Sequence, residues 1–313
     1  MPRGLAAVTG ATGFLGRQLV RELALSGWRV RVLARGEVIH PLWRGIEPEV
    51  ALGHLADDAA LARLCEGADL VVHAAGLTKA RDRAAFEAVN VEGARRAAQA
   101  APGAMLLVSS LAAREPGLSH YAASKRGGEA AARAILGERL TVVRPTALYG
   151  PGDPATLPLF RLAAASPVLP VLDSAARITL MHVQDAARQI AAVAASPAGG
   201  ALTLTDQCPQ GYSWREIMEA AAAAFGTRPR FVRLPGVAVD LAAVASLVTY
   251  GRGAAPMMSL GKAREIKHRD WSVSLDEQSV ALPSPIFDLR SGFRHTVDAY
   301  RASGAIFGTV KRL

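Results

Sequence analysis

A tyrosine and a lysine four residues apart, Tyr121 and Lys125, could carry acid–base chemistry. Residues at this spacing share one face of a helix, so a lysine ammonium would favour the phenolate and lower the pKa of the tyrosine. Such a tyrosine can donate or accept a proton near neutral pH. Just upstream, Ser109 and Ser110 end an apolar run, and a serine hydroxyl there can hydrogen-bond a reacting oxygen. Together these residues predict hydride and proton exchange at a carbonyl or carbinol carbon.

A glycine-rich motif, Thr9-Gly10-Ala11-Thr12-Gly13-Phe14-Leu15-Gly16, follows a strand pattern and opens a helical one. Gly10 permits a tight turn, Gly13 lets the backbone approach a pyrophosphate, and Gly16 lets the helix pack on the strand. The N–H groups at the start of the helix favour an anion at the same place. This context predicts a dinucleotide site built from Gly10, Thr12, Gly13, Phe14, Leu15 and Gly16.

The second strand pattern ends in Ala34-Arg35-Gly36, where NAD-specific folds place an acidic residue on the ribose diol. Ala34 cannot bind a diol, whereas Arg35 can pair with a 2′-phosphate and stack on adenine. We therefore expect NADP(H) as the preferred cofactor and NAD(H) as the alternative. The other interpretation of Arg35 is a solvent-facing arginine on a loop.

The elements that must position these motifs alternate between short β-branched runs and longer alanine-rich helical runs, which is typical of a parallel sheet covered by helices. The predicted strands are Leu5–Thr9, Arg29–Ala34, Glu49–Leu52, Leu70–His73, Met105–Ser109 and Leu140–Arg144. The predicted helices are Phe14–Ser26, Asp58–Cys65, Arg83–Ala101 and Tyr121–Leu136. The motifs follow the carboxyl ends of these strands, where such a sheet binds its ligand. We predict an α/β fold with a Rossmann-type doubly wound parallel sheet.

The regular alternation weakens after Tyr149-Gly150-Pro151-Gly152, where prolines break the chain into short pieces. A helix at Val183–Ala195 and a strand at Ala201–Thr205 are predicted to return to the sheet. We therefore predict a dinucleotide-binding domain of residues 1–150 plus about 178–206. A smaller, discontinuous substrate-binding region would hold residues 151–177 and 207–313.

Composition narrows the class of protein. The 313 residues, half of them hydrophobic, can bury a large core. Two cysteines, Cys65 and Cys208, are too few for a disulfide framework and form no metal-ligand pattern, so we expect no metal and a reducing cytoplasm. The N-terminal residues lack the pattern of a signal peptide. The net charge of +9 comes from scattered basic residues without interleaved aromatics, so we expect no nucleic-acid partner.

Each of two C-terminal segments has two possible interpretations. Residues Val237 to Val248 are apolar apart from Asp240 and are fewer than the roughly 20 that a membrane span requires. We expect a helix of the folded protein there and no integral membrane segment, and the alternative is an apolar lip on a substrate cleft. The denser basic set at residues 262–269 is either a solvated helix face or a contact for a substrate diphosphate.

The ordered motifs together resemble the extended short-chain dehydrogenase/reductase superfamily, and within it the NAD-dependent epimerase/dehydratase family. The resemblance covers residues 5–200. Besides the glycine motif it lies in Val72-His73-Ala74-Ala75, Asn90-Val91-Glu92-Gly93, Ser109-Ser110, Tyr121 with Lys125, Arg144-Pro145-Thr146-Ala147-Leu148-Tyr149-Gly150-Pro151 and His182-Val183-Gln184-Asp185. It implies a nicotinamide-dependent enzyme with a small-molecule substrate, and it suggests a homodimer through two packed surface helices.

The resemblance also implies the catalytic roles. Tyr121 would be the proton donor or acceptor, and Lys125 would hold the nicotinamide ribose and tune Tyr121. Ser110 would orient the substrate oxygen, with Ser109 as the second candidate.

Further cofactor contacts are implied by the same resemblance. The backbone at Ala74 and Ala75 would pass along the cofactor, Pro145 would approach the nicotinamide, and Leu55 would lie near adenine. His54 stands where the family commonly has an acidic residue for the adenine amine. It is interpreted either as an imidazole near the adenine edge or as a surface residue.

Two departures from the family pattern bear on the reaction. Dehydratases of the family follow the catalytic residue with an Asp-Glu pair, whereas Ser110 is followed here by Leu111-Ala112, which cannot transfer protons. Sugar-nucleotide enzymes of the family tend to carry Asn where Ala147 stands. We therefore expect an NADPH-dependent reductase or dehydrogenase of a ketone, aldehyde or secondary alcohol. The alternatives are a nucleotide-sugar epimerase and a non-catalytic cofactor-binding protein.

Overall fold

The computed structural model describes residues 3–250, 258–277 and 282–306. Its strands, in chain order, are β1 (Leu5–Thr9), β2 (Arg29–Ala34), β3 (Glu49–Leu52), β4 (Leu70–His73), β5 (Ala104–Val108), β6 (Leu140–Pro145), β7 (Ala147–Tyr149), β8 (Val168–Val171), β9 (Arg177–Ile178), β10 (Leu180–His182), β11 (Ala201–Leu204), β12 (Arg230–Arg233) and β13 (Asp270–Trp271). Seven of them form a parallel sheet in the order β11-β6-β5-β4-β1-β2-β3. The strand order reverses at β1 and β4, which is the switch point where doubly wound sheets bind ligands.

The helices are α1 (Phe14–Leu25), α2 (Asp58–Cys65), α3 (Arg83–Phe86), α4 (Glu92–Ala100), α5 (His120–Leu136), α6 (Leu157–Ala165), α7 (Val183–Ala195), α8 (Trp214–Phe225), α9 (Gly236–Tyr250), α10 (Leu260–Lys267) and α11 (Leu289–Ala302). Within the described residues, no helix is both long and apolar enough to cross a membrane.

Helices cover both faces of the sheet, as β1 illustrates. Its residues Ala6 and Val8 join a core cluster with α1 and α7, whereas Leu5 and Ala7 join a second cluster with α2, α4 and α5. Successive side chains of a strand point to opposite faces, so a strand that is buried on both faces must be apolar throughout. This is why the continuous apolar runs in the sequence identify the strands.

The predicted α/β fold with a doubly wound parallel sheet is confirmed, and most element bounds agree to within one residue. The predicted continuous α-helix at Arg83–Ala101 is wrong. A π-helical turn at Glu87–Val91 separates α3 from α4. The extra residue turns Asn90 inward, where its side chain bonds the backbone of Leu77 and the hydroxyl of Ser124. Such single-turn bulges are frequent at functional sites.

The later part of the chain first returns to the sheet and then leaves it. Strand β11 pairs with β6, and α7 packs against α1. Elements α6, α8, α11 and β8 surround a separate apolar cluster that contains Phe160, Leu169 and Phe293. A fourth small cluster joins α9 and α10 through Val239 and Ala263. The division into two domains stays a prediction.

Candidate active site

The loop between β1 and α1 is tight in the way that a phosphate site requires. Gly10 has a positive φ of 74°, and a Cβ at this position would come within 2.5 Å of the backbone nitrogen of Ala75. A Cβ on Gly16 would lie 2.0 Å from the carbonyl oxygen of Gly10. Only glycine fits at these two positions, so α1 starts close against the end of β1.

The start of α1 is open to a ligand. Gly13 is its N-cap residue and supplies no side-chain hydrogen bond, and both Thr12 and Gly13 are exposed. The first N–H groups of a helix lack partners within the helix and favour an anion. The cradle therefore fits a cofactor pyrophosphate, with Phe14 and Leu15 half-buried in the first turn.

The ends of β1 and β4 are tied together by a buried side-chain contact. The Thr9 hydroxyl lies 2.8 Å from Nδ1 of His73 and accepts a hydrogen bond from the backbone N–H of Ala75 at 3.3 Å. Burial, with a smaller contribution from the charge of Lys125, lowers the pKa of His73 to about 3. A neutral imidazole thus helps to hold Ala74 and Ala75 beside the glycine loop.

The proposed catalytic side chains lie together at the start of α5. The Lys125 ammonium donates a hydrogen bond to the carbonyl of Val108, 2.7 Å away at the end of β5. The Ser110 side chain lies close enough to Tyr121 to lower the pKa of its phenol. Its ring also packs against Phe86, with the ring centroids 6.1 Å apart.

Burial decides the protonation of this pair, which corrects the expectation that lysine lowers the tyrosine pKa. Burial raises the pKa of Tyr121 to about 12, while the Ser110 side chain opposes the rise and the charge of Glu265 adds to it. Burial lowers the pKa of Lys125 to about 8, against the attraction of Glu129. The Lys125 ammonium is directed to a backbone carbonyl, and Tyr121 is a neutral phenol at physiological pH.

The structure distinguishes the two serines at the end of β5. Ser109 is buried, and its hydroxyl donates to the carboxylate of Glu129 at 2.5 Å. Glu129 also forms an ion pair with Arg144, at 2.6 Å. Ser110 is half-buried, accepts a hydrogen bond from the N–H of Ala112 at 3.2 Å and contacts Tyr121. Of the two hydroxyls, that of Ser110 is therefore available to a substrate.

Asn90 is a residue whose function the sequence did not reveal beyond its place in a motif. Its amide nitrogen donates to the hydroxyl of Ser124 at 2.8 Å, and its oxygen accepts from the N–H of Leu77 at 2.7 Å. A Cβ on Gly76 would lie 3.1 Å from the Asn90 oxygen and 3.5 Å from the Lys125 nitrogen. Asn90 thus fixes the loop after β4 beside Lys125. The sequence signals for it were its place in the motif Asn90-Val91-Glu92-Gly93 and a polar residue within an alanine-rich helical run.

The remaining predicted cofactor residues lie at strand ends or just beyond them. Arg35 is exposed after β2 and makes no hydrogen bond or ion pair with the described residues. Leu55 packs near Gly93, and His54 is exposed. Pro145 is buried as the last residue of β6.

A C-terminal segment covers the start of α5. Ser119 is the N-cap residue of α5, and its hydroxyl is hydrogen-bonded to the buried carboxylate of Glu265 in α10. The guanidinium of Arg114 donates to the carbonyls of Asp270 and Ser272, at 2.7 and 2.8 Å. The C-terminal region is therefore joined directly to the candidate catalytic helix.

The basic set at residues 262–269 is largely neutralised. Lys262 pairs with Glu265, Lys267 with Asp240, and Arg269 with Asp173. Among the described residues, no group of three or more His, Cys, Asp or Glu side chains is arranged to hold a metal ion.

Residues 6–203 match the model of the NAD dependent epimerase/dehydratase family. The chain is 51% identical over 306 residues to the ceramide reductase of Caulobacter vibrioides, and the match covers 96% of each protein. It is 31% identical over 227 residues to the 4-hydroxy-2-methyl-3-oxo-4-farnesyl-3,4-dihydroquinoline-1-oxide ketoreductase of Stigmatella aurantiaca, covering 64% of this chain and 68% of that one.

Among solved structures, the chain is similar to DesIV, the dTDP-glucose 4,6-dehydratase of Streptomyces venezuelae, which was determined with NAD and TYD bound. The TM-score is 0.73 at 22% identity, with 98% of this chain and 99% of DesIV covered. This likeness supports the fold, and the family model matches more than half of the chain. The chain therefore belongs to the NAD-dependent epimerase/dehydratase family and is an NAD(P)-dependent enzyme.

Proposed function

We propose that the enzyme uses NADPH to reduce the ketone of a long-chain N-acylated amino ketone to the secondary alcohol of a ceramide. The observation that carries the substrate class is the extent of similarity to the ceramide reductase, which covers 96% of both chains. The family model stops at residue 203, so the similarity also includes the C-terminal region that surrounds the start of α5. Hydride transfer to a lipid of this class requires a carbonyl, which is why the ketone is the substrate we infer.

The residues at and near the start of α5 would each have a separate role in such a reduction. When bound, the nicotinamide supplies the hydride that is added to the carbonyl carbon. Tyr121 donates its phenolic proton to the carbonyl oxygen, and Ser110 donates a hydrogen bond to the same oxygen. Lys125 would hold the ribose, and the phenolate that remains takes a proton back from solvent.

The protonation state of Tyr121 fits its role in the reduction. With a pKa of about 12, the phenol carries its proton at neutral pH, and this is the form that donates to a carbonyl oxygen. The neighbouring residues support the same reaction, since Leu111 is buried and no acidic pair follows Ser110.

The NADPH preference is part of the proposal. Arg35 is exposed beyond β2 without an ion-pair partner in the described part of the chain, so its guanidinium is available for a 2′-phosphate. A homodimer in the cytoplasm, where NADPH is the common reductant, is the expected working form. The molar mass of the protein in solution checks the dimer.

The test is an assay of the purified enzyme with a detergent-dispersed N-acyl amino ketone and either NADPH or NADH. We expect NADPH to be consumed in a one-to-one ratio with the alcohol, identified by mass spectrometry. A short, water-soluble N-acyl amino ketone serves as the second substrate and separates the chemistry from lipid delivery. Inversion of a nucleotide-diphosphate sugar without net consumption of cofactor, with no reduction of either ketone, would overturn the proposal.

A further inference from the structure

Exposed apolar side chains are concentrated at one place in the C-terminal region. Thirteen large apolar side chains are exposed among the described residues, and five of them lie between residues 232 and 244. These are Val232, Leu234, Val237, Leu241 and Val244. Single exposed apolar residues are normal, whereas a concentration of them marks an interaction surface.

Three of the five residues form the outer face of α9. Val237, Leu241 and Val244 follow at intervals of four and three, which places them on one side of a helix. Leu241 is 64% exposed and Val237 is 59% exposed. We call this set, with Val232 and Leu234, the α9 patch.

The opposite face of α9 is anchored, so the orientation of the helix is defined. Val239 and Ala243 pack with Ala263 of α10. The Asp240 carboxylate forms an ion pair with Lys267, at 2.6 Å. A helix that is apolar on all sides is usually buried on all sides. Here one side is covered by protein and the other still requires an apolar partner.

Positive charge lies next to the α9 patch. Arg228 and Arg230 are exposed, come directly before the patch in the chain, and make no side-chain hydrogen bond or salt bridge with the described residues. They differ in this from Lys262, Lys267 and Arg269, which are paired. Apolar residues flanked by unpaired cations complement the surface of an anionic bilayer, where lipid headgroups attract the cations and the interface accepts the apolar side chains.

The α9 patch is also connected to the candidate catalytic helix. Helix α9 packs on α10, and Glu265 of α10 bonds Ser119 at the start of α5. The charge of Glu265 acts on Tyr121 itself. A bilayer in contact with the patch would lie on the outer side of α9, which is linked through α10 to the start of α5.

We propose that the α9 patch, together with Arg228 and Arg230, docks the enzyme on the surface of an anionic phospholipid bilayer. This docking is peripheral and reversible. The inference that docking lets the enzyme take a lipid ketone from the membrane rests on the proposed function. Membrane binding itself does not depend on the proposed function.

The test is co-sedimentation of the full chain with vesicles of phosphatidylglycerol and phosphatidylcholine, and with vesicles of phosphatidylcholine alone. We expect stronger binding to the anionic vesicles. Leu241→Glu should weaken that binding about ten- to hundredfold, because a charge would replace an exposed leucine that the bilayer interface is proposed to bury. Arg228→Gln with Arg230→Gln should weaken it by about fivefold per charge removed. Leu25→Glu is the matched control, since Leu25 at the end of α1 is also 64% exposed.

Activity on the short, water-soluble ketone establishes that each variant is folded and keeps failure of the docking proposal apart from failure of the proposed function. Leu241→Glu should keep this activity and lose turnover of ketone presented in anionic vesicles. The proposal is wrong if the wild-type chain does not sediment with anionic vesicles, or if Leu25→Glu weakens binding as much as Leu241→Glu. It is also wrong if Leu241→Glu converts a dimer to a monomer in the absence of lipid, because the patch would then be a subunit interface.

Discussion

Helices α1 and α9 are both rich in apolar residues, but their apolar side chains differ in how deeply they are buried. Leu19, Val20 and Leu23 of α1 are fully buried against the sheet, whereas Val237 and Leu241 of α9 face outward. Helix α1 follows the glycine loop of the proposed cofactor site, and α9 lies in the region that is proposed to bind the substrate. The difference suggests that the sheet region carries the chemistry for any substrate and that the C-terminal region determines which substrate arrives.

This comparison has a direct experimental form. A change at the strand ends should reduce turnover of every substrate, including the short, water-soluble ketone. A change in the α9 patch should affect only ketone that is presented in a bilayer.

The largest effect is expected for Tyr121→Phe. The substitution removes only the hydroxyl that exchanges the proton, so kcat should fall by about 10²- to 10⁴-fold for both soluble and bilayer-bound ketone. Cofactor affinity, measured by fluorescence titration, should stay within about twofold, because the ring and its packing on Phe86 remain. A comparable loss of cofactor affinity would show that Tyr121 is structural.

The next effect is expected for Arg35→Ala. Loss of a charge-assisted hydrogen bond to the 2′-phosphate should weaken NADPH binding by about ten- to hundredfold, corresponding to about 1.5–3 kcal/mol. NADH binding should change little, because NADH lacks that phosphate. Isothermal titration of wild type and variant with both cofactors measures the difference. Equal affinity of the wild-type enzyme for NADH and NADPH would contradict the assigned role of Arg35.

A smaller effect is expected from pH alone. Because burial lowers the pKa of Lys125 to about 8, its ammonium is present below pH 8 and is lost as the pH rises through that value. Tyr121, with a pKa of about 12, keeps its proton over the same range. The kcat for reduction should therefore fall by about tenfold between pH 7 and pH 9. Lys125→Arg should be slower but independent of pH in this range, because arginine does not lose its proton.

The two regions also differ in what the sequence could predict. The sheet strands are buried on both faces, so their apolar runs and the glycine motif between them identified the fold. The cofactor site that the same motif indicates stays a prediction. Asn90 was missed because the π turn that directs it inward depends on contacts with Leu77 and Ser124, which are distant in sequence. The exposed side of α9 could not be predicted either, since a helix that is apolar all round has no periodicity to indicate which face is covered.

Glu265 provides the last and smallest prediction, at the contact between the two regions. Its carboxylate is buried, bonds Ser119 and raises the pKa of Tyr121. Glu265→Gln keeps the shape and removes the charge, so the pKa of Tyr121 should fall and more phenolate should be present at a given pH. Oxidation of the alcohol product, which uses the phenolate as base, should become faster at pH 8, while reduction changes little. Glu219→Gln on α8 is the control, because Glu219 is a glutamate on an exposed helix face that pairs with Arg215. If both variants oxidise the alcohol at the wild-type rate, the C-terminal region covers the catalytic helix without tuning it, and the division between the chemistry region and the substrate region is complete.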